Sequence, residues 1–366
     1  EDSFTGGEYI YDQIKSIDKH SEYNIKIIKL VSCFSKEQSY IYNGYNIYIF
    51  KAFDFPFFIF PGFFHFINKI RFLFFLKKTN FINKIKYVHA HVSYPAGYLA
   101  LDLTKKYNIK SIIQHHGLDV LQLNNGRFSI INKIYNQILI KRKLNILNKA
   151  SLNLAVSKLV FKNLHKFHHY NPKQELVLYN GVDHSKFYLL EDYNFTKFQI
   201  GCIANFWHIK DQMTLIKSIE RLRDVYEVID IEVEFIGSGK TLKKCIDYVR
   251  KKKLSNQITF LSEVKHTELN LYYNKWSLFV LPSYYEALGC VYLEAFATKT
   301  PFIAVKGQGI EEILKSYPHL IEKHDYKGLA ENILLFYHKK GATPSLTINT
   351  DIDCLVRDFL IHIKSL

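Results

Sequence analysis

The chain of 366 residues reads as an α/β protein of two domains, each built on a parallel sheet. Three observations predict this. The length exceeds what one ordinary hydrophobic core organises. From about residue 80 onward, short apolar runs alternate with longer helical stretches, the pattern of a parallel sheet with crossover helices. Around 184–197 polar residues interrupt that pattern, and the same alternation then restarts.

The elements follow in chain order. Thr5-Gly6-Gly7 leads at once into a helical stretch, Glu8 to Ile17. A first domain of this type opens with a buried strand before such a glycine loop. With Glu1-Asp2-Ser3 at the start and no methionine, that strand is expected to be missing from the given sequence. Strands are expected at 86–91, 111–114, 152–156 and 175–178, with a helix beginning at Gly97. After the break, strands fall at 198–203, 229–236, 258–261, 278–281 and 302–305. Helices lie between them at about 211–225, 241–252 and 267–274, with another from about Gly289. A last amphipathic helix covers 351–366. The expected domains are 1–190, 191–350 and the helix 351–366.

A hydrophobic content of 48% with 23% charged residues excludes disorder as the main state. Cys33, Cys202, Cys245, Cys290 and Cys354 are scattered without a CxxC pair, so they read as reduced thiols of a cytoplasmic protein. No signal-peptide pattern is visible. The net charge of +15 is concentrated in residues 51–200, which hold 22 basic and 7 acidic groups. Such a surface attracts nucleic acid, anionic lipid or a phosphorylated substrate, and charge alone does not choose among them.

Residues 53–75 hold eleven Phe, and the longest uncharged run there, Phe55 to Asn68, is 14 residues with Pro56, Pro61 and Gly62 inside it. A membrane-spanning helix needs roughly 20 apolar residues, so the segment does not span. Phe63, Phe66, Ile67, Ile70 and Phe74 recur at helical spacing beside Lys69, Arg71, Lys77 and Lys78. This fits an interfacial helix touching an anionic membrane through 53–78. The alternative is a helix packed on the first sheet with its Phe residues in the core.

The chemistry concentrates in Leu281-Pro282-Ser283-Tyr284-Tyr285-Glu286-Ala287-Leu288-Gly289-Cys290-Val291-Tyr292-Leu293-Glu294. A strand enters a loop holding Glu286, and a helix then carries Glu294. Gly289 allows close approach of a ligand, and the first N–H groups, at Gly289, Cys290 and Val291, suit a diphosphate. Eight residues at helical rise put the carboxylates up to about 12 Å apart. Glycoside hydrolases need roughly 5–9.5 Å, so two ends of one long ligand fit better. A nucleotide sugar is such a ligand. Gly239-Lys240-Thr241 is not a P-loop, because its required earlier glycine falls at Glu234. His165, His168 and His169 sit in a Lys- and Asn-rich stretch and read as solvated.

The stretch 286–294 resembles the E-x7-E signature of retaining family 4 glycosyltransferases. In order, His89-Ala90-His91 with Ala96-Gly97, His116-Gly117-Leu118-Asp119, Tyr179-Asn180-Gly181-Val182-Asp183, Phe235-Ile236-Gly237-Ser238-Gly239 and Thr259-Phe260-Leu261-Ser262-Glu263-Val264 resemble further segments of that family. The resemblance implies the GT-B fold, two Rossmann-like domains facing each other across a cleft. It implies transfer of a hexose or N-acetylhexosamine from a nucleotide-diphosphate sugar to a glycan or lipid-linked acceptor, with retention, in cell-surface polysaccharide biosynthesis.

It also implies roles. Glu286 would bond the sugar hydroxyls, Glu294 the ribose, and Lys210 the diphosphate, neutralising the leaving group. Val264 would contact the base, Gly237 and Gly7 would line the nucleotide loops, and His116 would reach the sugar, with Asp119 holding its loop. Asn205 stands where the family carries an arginine, so phosphate binding leans on Lys210 and the helix N-terminus. The donor is expected to be a UDP- or GDP-sugar, used without a metal or other cofactor, by a cytoplasmic protein at the inner face of the plasma membrane. No nucleic acid is expected as a partner. The alternatives are a nucleotide-sugar epimerase on the same fold, a non-catalytic basic membrane- or nucleic-acid-binding protein, and an inactive relative.

Overall fold

The computed structural model describes residues 7–54, 63–82, 85–117, 131–191 and 197–366, the side chains of 131–139 excepted. Two compact units emerge, one from Glu1–His20 with Asn180–Asp358, the other from Ser21–Tyr179 with Phe359–Leu366. The main change of unit falls between 179 and 180, eleven residues before the expected 190/191 boundary. Both termini are exchanged: the first helix goes with the later sequence, the last residues with the earlier.

Helix α1 (Glu8–His20) buries a polar face, Asp12, Gln13 and Ser16. Burial of such groups requires partners, and α1 finds them. Lys186 bonds Asp12 at 2.5 Å, Ser16 donates to Asp353 at 2.6 Å, and Lys15 pairs with Asp183 at 3.3 Å.

The unit around Ser21–Tyr179 holds two sheets. Strands β1 (Ile27–Ser32), β2 (Tyr40–Tyr42) and β3 (Tyr45–Ala52) form the first, with β1 parallel to β3 and β2 antiparallel to it. Asn43 (φ +46°) and Gly44 (φ +85°) make the β2–β3 connection, the Asn-Gly pair favoured where both turn residues need positive φ. Helix α2 (His65–Lys78), β4 (Tyr87–Ala90), α3 (Tyr98–Tyr107), β5 (Lys110–His115), α4 (Ile131–Lys149), β6 (Leu152–Ala155), α5 (Lys158–Leu164) and β7 (Glu175–Val177) follow. The second sheet runs β4-β5-β6-β7, all parallel. Its central strands are continuous buried runs, as sheets covered on both faces require. Phe50, Phe72, Leu76, Leu99 and Leu103 share one core cluster.

The other unit carries β8 (Gln199–Ile203), α6 (Gln212–Tyr226), β9 (Glu232–Ile236), α7 (Leu242–Lys251), β10 (Ile258–Leu261), α8 (Leu269–Lys275), β11 (Leu278–Val280), α9 (Cys290–Ala297), β12 (Phe302–Val305), β13 (Leu320–Ile321) and α10 (Tyr326–Tyr337). Its six parallel strands are ordered β10-β9-β8-β11-β12-β13. Numbered from β8, this is the 3-2-1-4-5-6 order of a doubly wound sheet, whose ligands bind beyond the carboxyl ends of the strands where the winding reverses. Here the reversal lies between β8 and β11. The last helix, α11 (Ile352–Lys364), places its end in the first-described sheet unit, where Tyr87 donates to the Ile363 carbonyl at 3.0 Å. No described helix is long and apolar enough to cross a membrane.

Candidate active site

Two loops leave the reversal point, 204–211 after β8 and 281–289 after β11. The second is pinned to the first, because Tyr284 N and Ser283 Oγ donate to the Ile209 carbonyl at 3.0 and 2.8 Å. Its other side is fixed by the segment after β12. Glu286 N donates to Gln308 Oε1 at 2.8 Å, and Gly309 N donates to the Glu286 carbonyl at 3.0 Å. Between these anchors, Lys210 Nζ meets Glu286 Oε1 at 2.5 Å. The side chains are 24% and 11% exposed, so the pair is shielded yet open on one side. The ion pair offsets part of the cost of shielding the two charges from water. The sequence assigned the two residues separate ligand halves; the structure joins them.

Gly289 opens α9 with φ +85°, and a Cβ there would sit 2.7 Å from the Tyr292 ring, so only glycine fits. The turn holds the helix start beside Glu286, and the first N–H groups of α9, among them Cys290 and Val291, have no intrahelical acceptor. The Cys290 thiol accepts from Asn180 Nδ2 at 3.2 Å, and burial pushes it up to about 12, so it stays a neutral filler and not a nucleophile.

Glu294, one turn further along α9, is 8% exposed and points into a separate polar cluster. Tyr273 donates its hydroxyl to Glu294 Oε2 at 2.8 Å, and His266 Nε2 approaches Oε1 at 3.4 Å. Burial, then the Glu294 charge, raises the Tyr273 phenol well above its ordinary value, so it remains a donor. Burial works against the His266 imidazolium, but the hydrogen bond and charge of Glu294 outweigh it and raise its pKa. Glu294 is thus a buried carboxylate held by two donors on α8 and the turn before it.

The remaining expected residues fall as follows. Asn205 stands half-buried in the loop after β8, its carbonyl accepting from Trp207 N at 2.8 Å and Gln212 Nε2 at 3.1 Å. Gly237 (φ +139°) lets the end of β9 close on that loop, for a Cβ would lie 2.3 Å from the Ala204 carbonyl oxygen. Val264 is half-buried in the loop between β10 and the His266 turn. Gly7 precedes α1, its carbonyl accepting from Ile10 N at 3.0 Å, in the same compact unit as Lys210, Glu286 and Glu294.

His116 belongs to the other unit. His91 Nδ1 lies 3.2 Å from its Nε2, the two rings stack at 5.4 Å, and His89 stacks on His91 at 4.5 Å. Burial holds His89 down at about 4 and His91 well below its ordinary value, so both are neutral near pH 7. His91 is thus sandwiched between the His89 and His116 rings. Asp119 lies outside the described residues. His165 pairs with Glu175 at 2.9 Å on the surface, away from any metal-type cluster among the described residues. Sequence reasoning missed His266, Tyr273 and Gln308. No motif marks them, and only the β11–β12 pairing and the α8–α9 packing give them their partners.

Comparison with known proteins also divides the chain in two. The family model for Glycosyltransferase Family 4 matches residues 30–186, and the model for glycosyl transferases group 1 matches 191–349. A glycosyltransferase of Methanocaldococcus jannaschii is 30% identical over 256 residues, 68% of this chain and 65% of the relative. The O-antigen chain mannosyltransferase of Salmonella typhimurium is 26% identical over 199 residues, 54% of each chain. The chain therefore spans between about half and two thirds of the length of these relatives. The structure of Anabaena HepE with UDP and glucose matches with a TM-score of 0.68 at 17% identity, over 88% of this chain and 87% of that one, a likeness of fold. With one family model on each side of the 186–191 junction and the 3-2-1-4-5-6 sheet behind its two glutamates, the chain belongs to the group 1 glycosyltransferases of the GT-B fold.

Proposed function

We propose that this protein transfers a hexose or N-acetylhexosamine from a UDP- or GDP-sugar to a glycan or lipid-linked acceptor, with retention. We place it in polysaccharide synthesis at the inner face of the plasma membrane. The observation that carries the proposal is the Lys210–Glu286 pair at the reversal point of the sheet. The Salmonella relative, an O-antigen chain mannosyltransferase, supports the acceptor class.

The reaction breaks the bond between the anomeric carbon and the diphosphate oxygen, whose electron pair stays on the diphosphate. The new bond joins that carbon to the acceptor oxygen, and the acceptor proton passes to the departing phosphate. Negative charge grows on the diphosphate as the first bond lengthens. The Lys210 ammonium and the α9 N-terminus are the groups that would meet it. Glu286 holds Lys210 in place until the donor arrives, and then shares its carboxylate between that ammonium and the sugar hydroxyls. Glu294, already bonded by Tyr273, takes the ribose through its remaining lone pairs. His116 is assigned to the sugar by family resemblance alone. Charge neutralisation by Lys210 and the helix lets the step run without a metal.

Thermal-shift screening against UDP, GDP, ADP and their sugars tests this, followed by turnover assays with and without excess EDTA. One nucleotide class should stabilise the protein, and turnover should persist in EDTA. Salt-sensitive RNA binding with no nucleotide shift, or isomerised donor in the absence of acceptor, would replace the reading with a binder or an epimerase.

A further inference from the structure

Lys210 ends a single tight turn, His208–Lys210, between β8 and α6, closed by its own N–H on the Trp207 carbonyl at 2.9 Å. So short a turn holds itself weakly, and a long lysine side chain magnifies any shift of its backbone. Both chain neighbours of Lys210 are held from elsewhere. Before it, the Ile209 carbonyl is bonded by Ser283 and Tyr284. After it, Asp211 Oδ2 accepts from Thr214 Oγ1 at 2.7 Å and lies 2.7 Å from His324 Nδ1, in the segment between β13 and α10. A carboxylate only accepts, so Nδ1 carries the proton. The His324 ring also rests against Tyr284, centroids 5.1 Å apart. The loops after β8, β11 and β13 thus close on one another around the backbone of Lys210.

The two bonded partners share an unusual backbone. Asp211 has φ +48° and His324 φ +62°, the left-handed region that glycine enters freely and other residues seldom do. If these positions had only to turn the chain, glycine would serve at both with less strain. Side chains retained at strained positions point to work that the side chains do, and here that work is the bond between them. Burial divides the partners unequally: the Asp211 side chain is 13% exposed and that of His324 63%. His324 can therefore be cut back without opening a cavity, and so open a contact adds little to global stability. Its effect is local, at the turn that carries Lys210.

We propose that His324 is a positioning residue for Lys210. Through Asp211 and Tyr284 it fixes the turn that aims the ammonium at Glu286 and at the donor diphosphate. His324 acts through these residues and is not itself catalytic. The inference rests on the reading of Lys210 as the cation that meets the diphosphate. With the His324 bond gone, the turn would sample positions away from Glu286, and a diphosphate would have to order it on binding. That cost falls on diphosphate affinity and on kcat. A nucleoside without phosphates does not engage Lys210 and should bind unchanged.

The test compares the full chain with His324→Gly and His324→Asn, each assayed well below its own Tm. Glycine removes the ring and relieves the positive φ. Asparagine tolerates the same backbone, and its side-chain amide can donate where Nδ1 does. Each protein is titrated with UDP, GDP, uridine and guanosine, and kcat is measured with the matching donor. His324→Gly should bind the preferred diphosphate and turn over roughly tenfold less well, with nucleoside binding unchanged, and His324→Asn should recover most of both losses. In a Lys210→Ala background His324→Gly should add little, since a cation that is absent cannot be misplaced. Wild-type affinity and kcat in His324→Gly, no recovery by asparagine, or the same loss in the Lys210→Ala background would each overturn the proposal alone. A wild-type protein that binds neither diphosphate would overturn the donor reading of Lys210 along with it.

Discussion

Lys210 Nζ and Glu286 Oε1 lie 2.5 Å apart although 76 residues separate them in the chain. Adjacent strands β8 and β11 bring them together, and Ser283 and Gln308 fix the loop that carries the glutamate. A cation and an acid coupled in this way respond to each other's removal.

Lys210→Ala should lower donor turnover at least roughly tenfold, as loss of a group meeting leaving-group charge does, and Glu286→Ala should lower it by at least as much. Steady-state kcat with the donor found by screening checks both. Wild-type rates in either variant would remove that residue from the site.

Tyr273→Phe deletes only the hydroxyl that donates to Glu294. The buried carboxylate then loses its closest partner, a loss worth about 1–3 kcal/mol for a charged acceptor. Chemical unfolding should register that cost. The donor KM should rise with kcat little changed, because Glu294 is assigned to the ribose and not to the sugar. An unchanged unfolding midpoint would show that the phenol contributes nothing to holding the acid.

His266 carries a sign that can be worked out. Its folded pKa lies above the unfolded value of about 6.5, owing to Glu294. Its contribution to stability is therefore complete below that pH and fades as pH rises through the folded pKa. Unfolding free energy measured from pH 6 upward should fall across this window in wild type and stay flatter in His266→Gln. The same slope in both proteins would contradict the assignment.

Gly289→Ala must place a Cβ at φ +85° and 2.7 Å from the Tyr292 ring. Strained non-glycine backbone of this kind costs of order 1–3 kcal/mol, before the displacement of Tyr292, whose hydroxyl anchors the Leu281 carbonyl at 2.8 Å. A lowered Tm with weakened diphosphate affinity is expected. A variant as stable as wild type would mean that the turn relaxes freely.

Strands 258–261 and 302–305 were legible to the residue, because each is a short apolar run flanked by polar turns, and those runs match β10 and β12. Strand β13, two residues long, is too short to show any period. Strand β1 alternates poorly because much of it is half-exposed, whereas Asn43-Gly44 was a usable turn signal for the β2–β3 hairpin. Helix α1 was readable as a helix, but its buried Asp12 and Ser16 depend on Lys186 and Asp353, more than a hundred residues away. In the site, Glu286, Glu294, Gly289 and Lys210 could be named from local pattern. That Lys210 bonds Glu286, and that Tyr273 and His266 hold Glu294, follows from strand order and helix packing, which no local pattern encodes.

Calorimetric titration of wild type and Lys210→Ala with the preferred nucleoside diphosphate and with the parent nucleoside tests the central claim most directly. If Lys210 meets the diphosphate, the variant should bind the diphosphate at least roughly tenfold more weakly, about 1.4 kcal/mol, and the nucleoside equally well. Equal loss for both ligands, or no loss for either, would contradict it.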